Sequence, residues 1–233
     1  MTKQRVRSAV TLDRDAVWRA IDAHRLKLTD LLRQLTDDEW RHPSLCEGWT
    51  VRDVTAHLTL QHISVPTAIV EMVRARANMN RLIHDAACRR SSRPVDEMIA
   101  QIRGMVGSRR HPPGVTYLEA LIDNLVHSQD ITVPLGRRLD LAPEAAATAA
   151  SRVWSLGGPF HAKRKVAGFR LSATDIAWSV GDGPDVETPI DAILLVLTGR
   201  LVALPRLAGE GAAGLTAQLR SLAQGRPLPD GGA

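Results

Sequence analysis

The hydrophobic period of the chain changes at Gly157 and Gly158, and this change constrains the fold more than any other feature of the sequence. Before the two glycines, apolar residues recur at the three- and four-residue spacing of amphipathic helices. After them, residues 166–184 alternate apolar and polar side chains with the period of two that is typical of strands. We therefore expect an α+β protein of two domains, with residues 1–157 helical and residues 158–233 forming a small α+β domain.

Four long helices are predicted in the first part, joined by short breaks that contain proline and glycine. The first begins near Val17 and the second at Val51 behind Thr50. The third begins at Pro94 behind Ser92 as cap, and the fourth begins at Thr116, where Glu119 three residues on completes a capping box. An antiparallel four-helix bundle is the economical packing for such a pattern. The second helix is expected to continue to residue 77 with a bend at Pro66. A fifth helix over residues 142–158 is interpreted as a connector between the domains.

The second predicted helix starts with strong local signals. Thr50 is a good N-cap with Asp53 at the third helical position, and Trp49 and Val54 occupy the two places of a hydrophobic staple. This start places His57 two turns into the helix, on the side that faces the core. In the first helix, His24 interrupts the apolar stripe and is interpreted as a hydrogen-bonded core histidine.

Asp123 and His127 are four residues apart on the fourth predicted helix, so their side chains lie on one face, one turn apart. Such a pair can fill two coordination positions of one metal ion, and His57 is the natural third ligand. Two histidines and one carboxylate leave an open position, as catalytic zinc sites do. On spacing alone, an exposed Asp/His pair and a core histidine remain alternatives, because Asp-x-x-x-His occurs often by chance.

Three further residues near this pattern have structural and functional interpretations. Cys46 precedes the second helix and is interpreted as a small buried hydrophobe rather than a thiol at the site. Asp130 lies three residues beyond His127, where it either orients that ring or makes a helix-terminal hydrogen bond. His62 lies five residues after His57, points away from it, and is interpreted as a non-ligand.

Composition excludes several classes of protein. Cys46 and Cys88 are the only cysteines, which leaves no disulfide framework and no thiolate zinc cluster. A net charge of +5 could suggest nucleic acid, but the positive residues are scattered and aromatic residues make up 3%. We expect no specific nucleic-acid partner. No apolar stretch approaches the ~18 residues that span a bilayer, so we expect a cytoplasmic protein without a membrane partner.

Four quoted segments carry a family resemblance. "LCEGWTVRDVTAHL" is followed further along the chain by the acid-x-x-x-His helix that ends in "DITVPLG", and the second domain contains "GFRLSATDIAWSVGDGPDV" and "ILLVLTGR". Together they resemble the mycothiol-dependent maleylpyruvate isomerase family, itself similar to the DinB-like metal-binding helical bundles. The likeness covers nearly the whole chain, and the combination is far more specific than any one motif.

The resemblance implies a divalent metal, usually zinc, held by His57, Asp123 and His127, with mycothiol as the thiol cosubstrate. It also implies that an arginine of the second domain, most plausibly Arg200 in "LTGR", faces the metal cleft. The family's isomerases use glutamate where this chain has Asp123. The shorter side chain implies looser or water-bridged coordination, or a small compensating helix shift.

The implied activity is cis-trans isomerisation or thiol transfer through a metal-bound thiolate, because a metal cation stabilises the deprotonated thiol. An arginine opposite the metal would hold a carboxylate-bearing small-molecule substrate in a bidentate fork. The alternative is a non-catalytic metal- or ligand-binding module of the same fold. The substrate and the oligomeric state stay open at this point.

Overall fold

The structure is a computed structural model that describes residues 11–62, 89–111 and 114–225. This part of the chain is mostly helical with one three-stranded sheet, which confirms the α+β class. Contacts divide the chain into one compact unit over Asp13–Leu141 and another that contains Ala142 onward together with the residues up to Leu12. Within the described ranges, no helix is long and apolar enough to cross a bilayer.

The first unit is built from helices. They are α1 (Arg14–Leu32), α2 (Asp37–Arg41), α3 (Val51–Leu58), a 3-10 helix (Thr59–His62), α4 (Val95–Arg103) and α5 (Tyr117–Thr132). Helices α1 and α3 each pack against both α4 and α5. The core between them is aliphatic, with Leu28, Val54 and Ile102 almost completely buried.

Capping signals in the sequence located two helix starts correctly and a third one incorrectly. Full capping boxes form at Thr50 of α3 and at Thr116 of α5, as predicted. The prediction that Ser92 caps α4 is wrong, because Pro94 is the N-cap residue and makes no side-chain capping bond. The Ser92 hydroxyl instead donates to the Arg89 carbonyl. The short helix α2 begins with a capping box at Thr36 that the sequence analysis did not identify.

The second predicted helix is only partly described. Helix α3 ends at Leu58, and the backbone tightens into the 3-10 helix over the next four residues. The rest of the predicted helix, with its bend at Pro66, lies outside the described residues.

His24 is a buried, hydrogen-bonded histidine of the α1 core face, as the sequence analysis interpreted it. Its Nε2 lies 2.8 Å from the Ser128 hydroxyl on α5. Burial and, less strongly, the Lys27 charge lower the pKa of His24 to about 4, against a smaller opposing effect of its hydrogen bond to the Asn124 backbone. The folded protein therefore holds this side chain neutral at moderately acidic pH.

This pKa predicts acid sensitivity of the fold. The unfolded chain protonates His24 near its ordinary pKa, and the folded chain does so only near pH 4, so lowering the pH through this window favours the unfolded state. We expect the His24 contribution to cost about 2 kcal/mol of unfolding free energy between about pH 7 and about pH 5. Urea titrations of the wild type and of His24→Gln measure it. Equal pH slopes in the two proteins would contradict the prediction.

The second unit combines helices with the small sheet. Its elements are α6 (Pro143–Ser155), α7 (Ala162–Lys165), β1 (Arg170–Ala173), β2 (Ser179–Gly181), β3 (Asp185–Thr188), α8 (Ile190–Leu197), a 3-10 helix (Leu201–Arg206) and α9 (Ala212–Ala223). The strand order is β2-β1-β3, with β1 antiparallel to β2 and parallel to β3. The strands predicted within residues 166–184 are confirmed as β1 and β2, and β3 follows them.

Helix α6, interpreted from sequence as a connector, packs against α8 within the second unit. Its inner face is lined with alanines, which leave room for the apolar helix α8 to approach closely. The indole nitrogen of Trp178 on the sheet side donates to the Ser151 hydroxyl of α6 at 2.9 Å. The contact division after Leu141 therefore precedes α6, whereas the predicted domain boundary at 157/158 follows it.

Candidate metal centre

The first turn of helix α3 is fixed by hydrogen bonds at both ends, and this determines the direction in which His57 points. The Thr50 backbone N–H and hydroxyl donate to the Asp53 carboxylate at 2.9 and 2.6 Å, and the Asp53 N–H donates back to the Thr50 hydroxyl. The Trp49 ring packs beside His57, with ring centroids 5.5 Å apart. Burial of Val54 and its apolar neighbours fixes the face of the helix, so His57 is directed toward α5.

The cap is expected to contribute measurably to stability. Thr50→Ala removes the side-chain acceptor and donor, and we expect a loss of about 1 kcal/mol of unfolding free energy. Thr36→Ala at the capping box of α2 is the matched control, because it removes the same motif from a helix that does not carry His57. Denaturant unfolding measures both, and an unchanged midpoint for Thr50→Ala would contradict this account of the α3 start.

His57, Asp123 and His127, the three predicted ligands, converge in the first unit. His57 Nε2 lies 3.2 Å and His127 Nε2 lies 3.3 Å from the same oxygen, Asp123 Oδ1. One ligand atom from each of the three residues lies within 4.8 Å of the others. The side chains are half-buried, with Asp123 the most exposed at 29%.

The spacing of these atoms fits a small divalent cation. Zinc binds nitrogen and oxygen donors at about 2.0–2.1 Å, and tetrahedral geometry then separates two donors by roughly 3.3 Å. The two N···O separations of Asp123 Oδ1 agree with this value. The donor set of two imidazoles and a carboxylate also suits zinc, so the residues present fit the metal that the sequence analysis expects.

Asp130 orients the ring of His127. Its Oδ2 accepts from His127 Nδ1 at 2.8 Å, and the Asp130 side chain is completely buried. With the proton held on Nδ1, the lone pair of Nε2 points toward Asp123 and His57, where a metal would bind. Of the two interpretations open for Asp130 from sequence, the structure therefore shows the orienting contact.

Asp123 and His127 each shift the pKa of the other. Burial raises the pKa of Asp123, but the charge of His57 and hydrogen bonds from both histidines outweigh it and hold the pKa well below its usual range. Burial lowers the pKa of His127, yet hydrogen bonds to Asp123, Asp130 and Cys46 hold it well above its ordinary value. A cation entering the site therefore competes with the proton that Asp123 and Asp130 stabilise on His127.

Cys46 combines the two roles considered for it. It packs against the hydrophobic core and is half-buried, while its Sγ lies 3.1 Å from Asp130 Oδ2 and 3.7 Å from His127 Nδ1. The neighbouring Leu45 N–H donates to the Asp130 carbonyl, which ties the loop before α3 to α5. Cys46, His127 and Asp130 form a second group with metal-ligand spacing, and among the described residues His62 belongs to neither group.

Sequence reasoning missed Gln61 as a site residue. Its Nε2 donates to Asp123 Oδ2 at 2.6 Å, on the opposite side of the carboxylate from the histidines. A signal was present, because Gln61 lies four residues after His57 and shares its face of a helical segment. An uncharged amide at such a position does not indicate a metal site, whereas a histidine does.

Comparison with known proteins finds a family match over part of the chain. Residues 21–114 match the family model described as the mycothiol maleylpyruvate isomerase N-terminal domain. The resemblance drawn from sequence is thereby confirmed, and the matched segment contains Cys46, His57 and Gln61 but ends before Asp123. A search of the curated proteins finds no match.

Solved structures show the same fold. The chain is similar to a crystal structure of the mycothiol-dependent maleylpyruvate isomerase, with a TM-score of 0.55 and 15% identity. It is also similar to a histidine-to-alanine mutant of that isomerase, with a TM-score of 0.56 and 14% identity. Each comparison covers 81% of this chain and 90% of the other. At this identity the likeness establishes the fold of the maleylpyruvate isomerase and nothing finer.

Arg200 lies in the second unit. It is half-buried at the N-cap of the 3-10 helix Leu201–Arg206, and its Nη1 donates to the Thr198 carbonyl at 2.9 Å. Burial lowers the pKa of Lys165, and the charges of Arg164 and Arg200 lower it further. Lys165 therefore lies close to Arg200. Arg200 thus belongs to a basic region of its own unit.

Proposed function

We propose that this chain is a metal-dependent, mycothiol-using enzyme of the maleylpyruvate isomerase type. The observation that carries the proposal is the convergence of His57 Nε2 and His127 Nε2 on one oxygen of Asp123. The family match supports the thiol as cosubstrate. The reaction would be cis-trans isomerisation or thiol transfer, and α1, α3, α4 and α5 would form an antiparallel, DinB-like four-helix bundle around the site.

We infer that His57, Asp123 and His127 hold a divalent metal, and that this metal is zinc because two imidazoles and a carboxylate suit it. Such an ion, with three protein ligands, would keep an open position for a thiol sulfur and favour its thiolate at neutral pH. Asp130 would keep the proton of His127 on Nδ1, so that Nε2 stays available. The Trp49 ring beside His57 would limit rotation of that imidazole.

Arg200 would bind a substrate carboxylate. A guanidinium presents two parallel N–H donors that match a carboxylate, and the nearby Arg164 and Lys165 strengthen the positive potential. In isomerisation, the thiol adds to an activated double bond, rotation occurs about the resulting single bond, and elimination restores both the double bond and the thiol. In transfer, the adduct leaves with the thiol attached.

Arg200→Met should weaken substrate binding without affecting the metal. A charge-assisted hydrogen bond contributes roughly 1.5–3 kcal/mol, so we expect KM for a carboxylate substrate to rise about 10- to 100-fold. Zinc content should equal that of the wild type, since Arg200 lies outside the metal-binding unit. Arg152→Met, at another arginine of the second unit, is the control. Unchanged KM in Arg200→Met would remove this residue from the proposal.

The function itself is tested with zinc-loaded protein, mycothiol and maleylpyruvate. Isomerisation that needs the thiol but does not consume it supports an isomerase, and stoichiometric thiol loss supports a transferase. His57→Ala should abolish either activity. A protein that binds zinc and mycothiol but neither isomerises maleylpyruvate nor consumes mycothiol would contradict the enzyme proposal, provided that other cis-enoates and electrophiles give the same result. The chain would then be a binding module.

A further inference from the structure

Gln61 connects the candidate metal centre to the interior of the first unit. It is only 4% exposed, and its Nε2 donates to Asp123 Oδ2 at 2.6 Å. Its Oε1 accepts two hydrogen bonds, from Arg25 Nη2 at 2.7 Å and from Asn124 Nδ2 at 2.9 Å. Both polar atoms of the amide are therefore engaged on opposite sides.

The orientation of the Gln61 amide is determined by its partners. Arg25 has only N–H donors, so the amide atom that faces it must be the oxygen. The amide nitrogen then faces Asp123. Arg25 is fully buried and its Nη1 donates to the Met105 carbonyl, while Asn124 Nδ2 also donates to the Ala120 carbonyl. Neither partner can turn without breaking a buried hydrogen bond, so the amide is held in one orientation.

This network divides the two oxygens of Asp123 between different partners. Oδ2 receives the short hydrogen bond from Gln61, and Oδ1 faces both histidines. We propose that Gln61 is a positioning residue, anchored by Arg25, that makes Asp123 bind the metal through Oδ1 alone. The inference rests on the proposed metal site. It also explains how the shorter aspartate serves there, because a fixed carboxylate presents one oxygen at the distance that both imidazoles require.

Cobalt substitution tests the inference directly, because four-coordinate Co²⁺ absorbs visible light more strongly than five- or six-coordinate Co²⁺. In Gln61→Leu, Oδ2 loses its donor and becomes free to bind as well. We expect weaker visible absorption and a Co²⁺ dissociation constant raised about 10- to 100-fold. Gln61→Glu keeps acceptors for Arg25 and Asn124 but removes the donor to Asp123, and it should show the same two changes even if Gln61→Leu folds poorly.

Gln129→Leu is the matched control. Gln129 is a buried glutamine of α5 whose Nε2 donates to the Leu139 carbonyl, and it lies six residues from Asp123. This variant should lower stability while keeping the wild-type Co²⁺ spectrum and affinity. Wild-type spectra in both Gln61 variants, or an equal change in Gln129→Leu, would overturn the positioning role. A wild type that takes up no Co²⁺ would instead defeat the proposed metal site, and the inference with it.

Discussion

Replacing His127 with alanine is expected to reduce the bound metal from about one equivalent per chain to background. In the proposed site His127 would supply one of three ligand atoms, and its loss would leave an aspartate and one histidine. Two remaining ligands hold zinc far more weakly than three, because most of the affinity comes from simultaneous binding to a preformed set. Inductively coupled plasma mass spectrometry on protein purified without chelator measures the content.

His42→Ala is the control for this experiment. His42 is exposed, lies between α2 and α3, and belongs to neither group of residues with metal-ligand spacing. It should keep the wild-type metal content. Equal metal in the His127 and His42 variants would show that the metal binds elsewhere. Metal-free wild-type protein, even after zinc addition, would make the Asp123 cluster an ion-pair network of the core rather than a metal centre.

Replacing Arg25 with methionine is expected to destabilise the first unit strongly. Arg25 is completely buried, and its removal leaves the Met105 carbonyl and the Gln61 amide oxygen short of a donor. Burial lowers the pKa of Arg25 to about 10, with Asp22 and Asp123 opposing the shift. We expect a loss of about 3 kcal/mol, which corresponds to roughly 6–12 °C in melting temperature.

The measurement uses chelator-treated protein, so that metal binding does not contribute to stability. Arg33→Met is the control, because Arg33 follows α1, is half-exposed, and pairs with the exposed Asp30. Exposed pairs contribute about 0–1 kcal/mol, so this variant should unfold close to the wild type. Similar unfolding of the two variants would show that the buried Arg25 network does not stabilise the fold.

Local signals explain how much of the first unit was predictable. The capping boxes at Thr50 and Thr116 act within a few residues, and they determined the starts of α3 and α5 from sequence. The four-residue spacing of Asp123 and His127 likewise determined that both side chains share a face. His57 followed because the start of α3 fixes which way this side chain points.

Contacts between distant segments explain what could not be predicted. Cys46 meets Asp130, and Gln61 meets Arg25, only after the helices pack. The backbone tightens over Thr59–His62, the segment that carries Gln61, and this segment contains no glycine or proline that would have signalled the change. In the second unit, alternation predicted the strands, but the parallel pairing of β1 with β3 depends on the returning chain rather than on either strand alone.

We propose that two histidines and one carboxylate oxygen hold a metal to which an external thiol can bind. X-ray absorption at the zinc edge of loaded protein tests it most directly. Without thiol, we expect only nitrogen and oxygen neighbours of the zinc at about 2.0–2.1 Å, two of them from imidazoles. With mycothiol added, we expect one new sulfur neighbour at about 2.3 Å. A sulfur neighbour in the absence of thiol would indicate that Cys46 is a ligand, and no sulfur after mycothiol addition would contradict the thiolate chemistry.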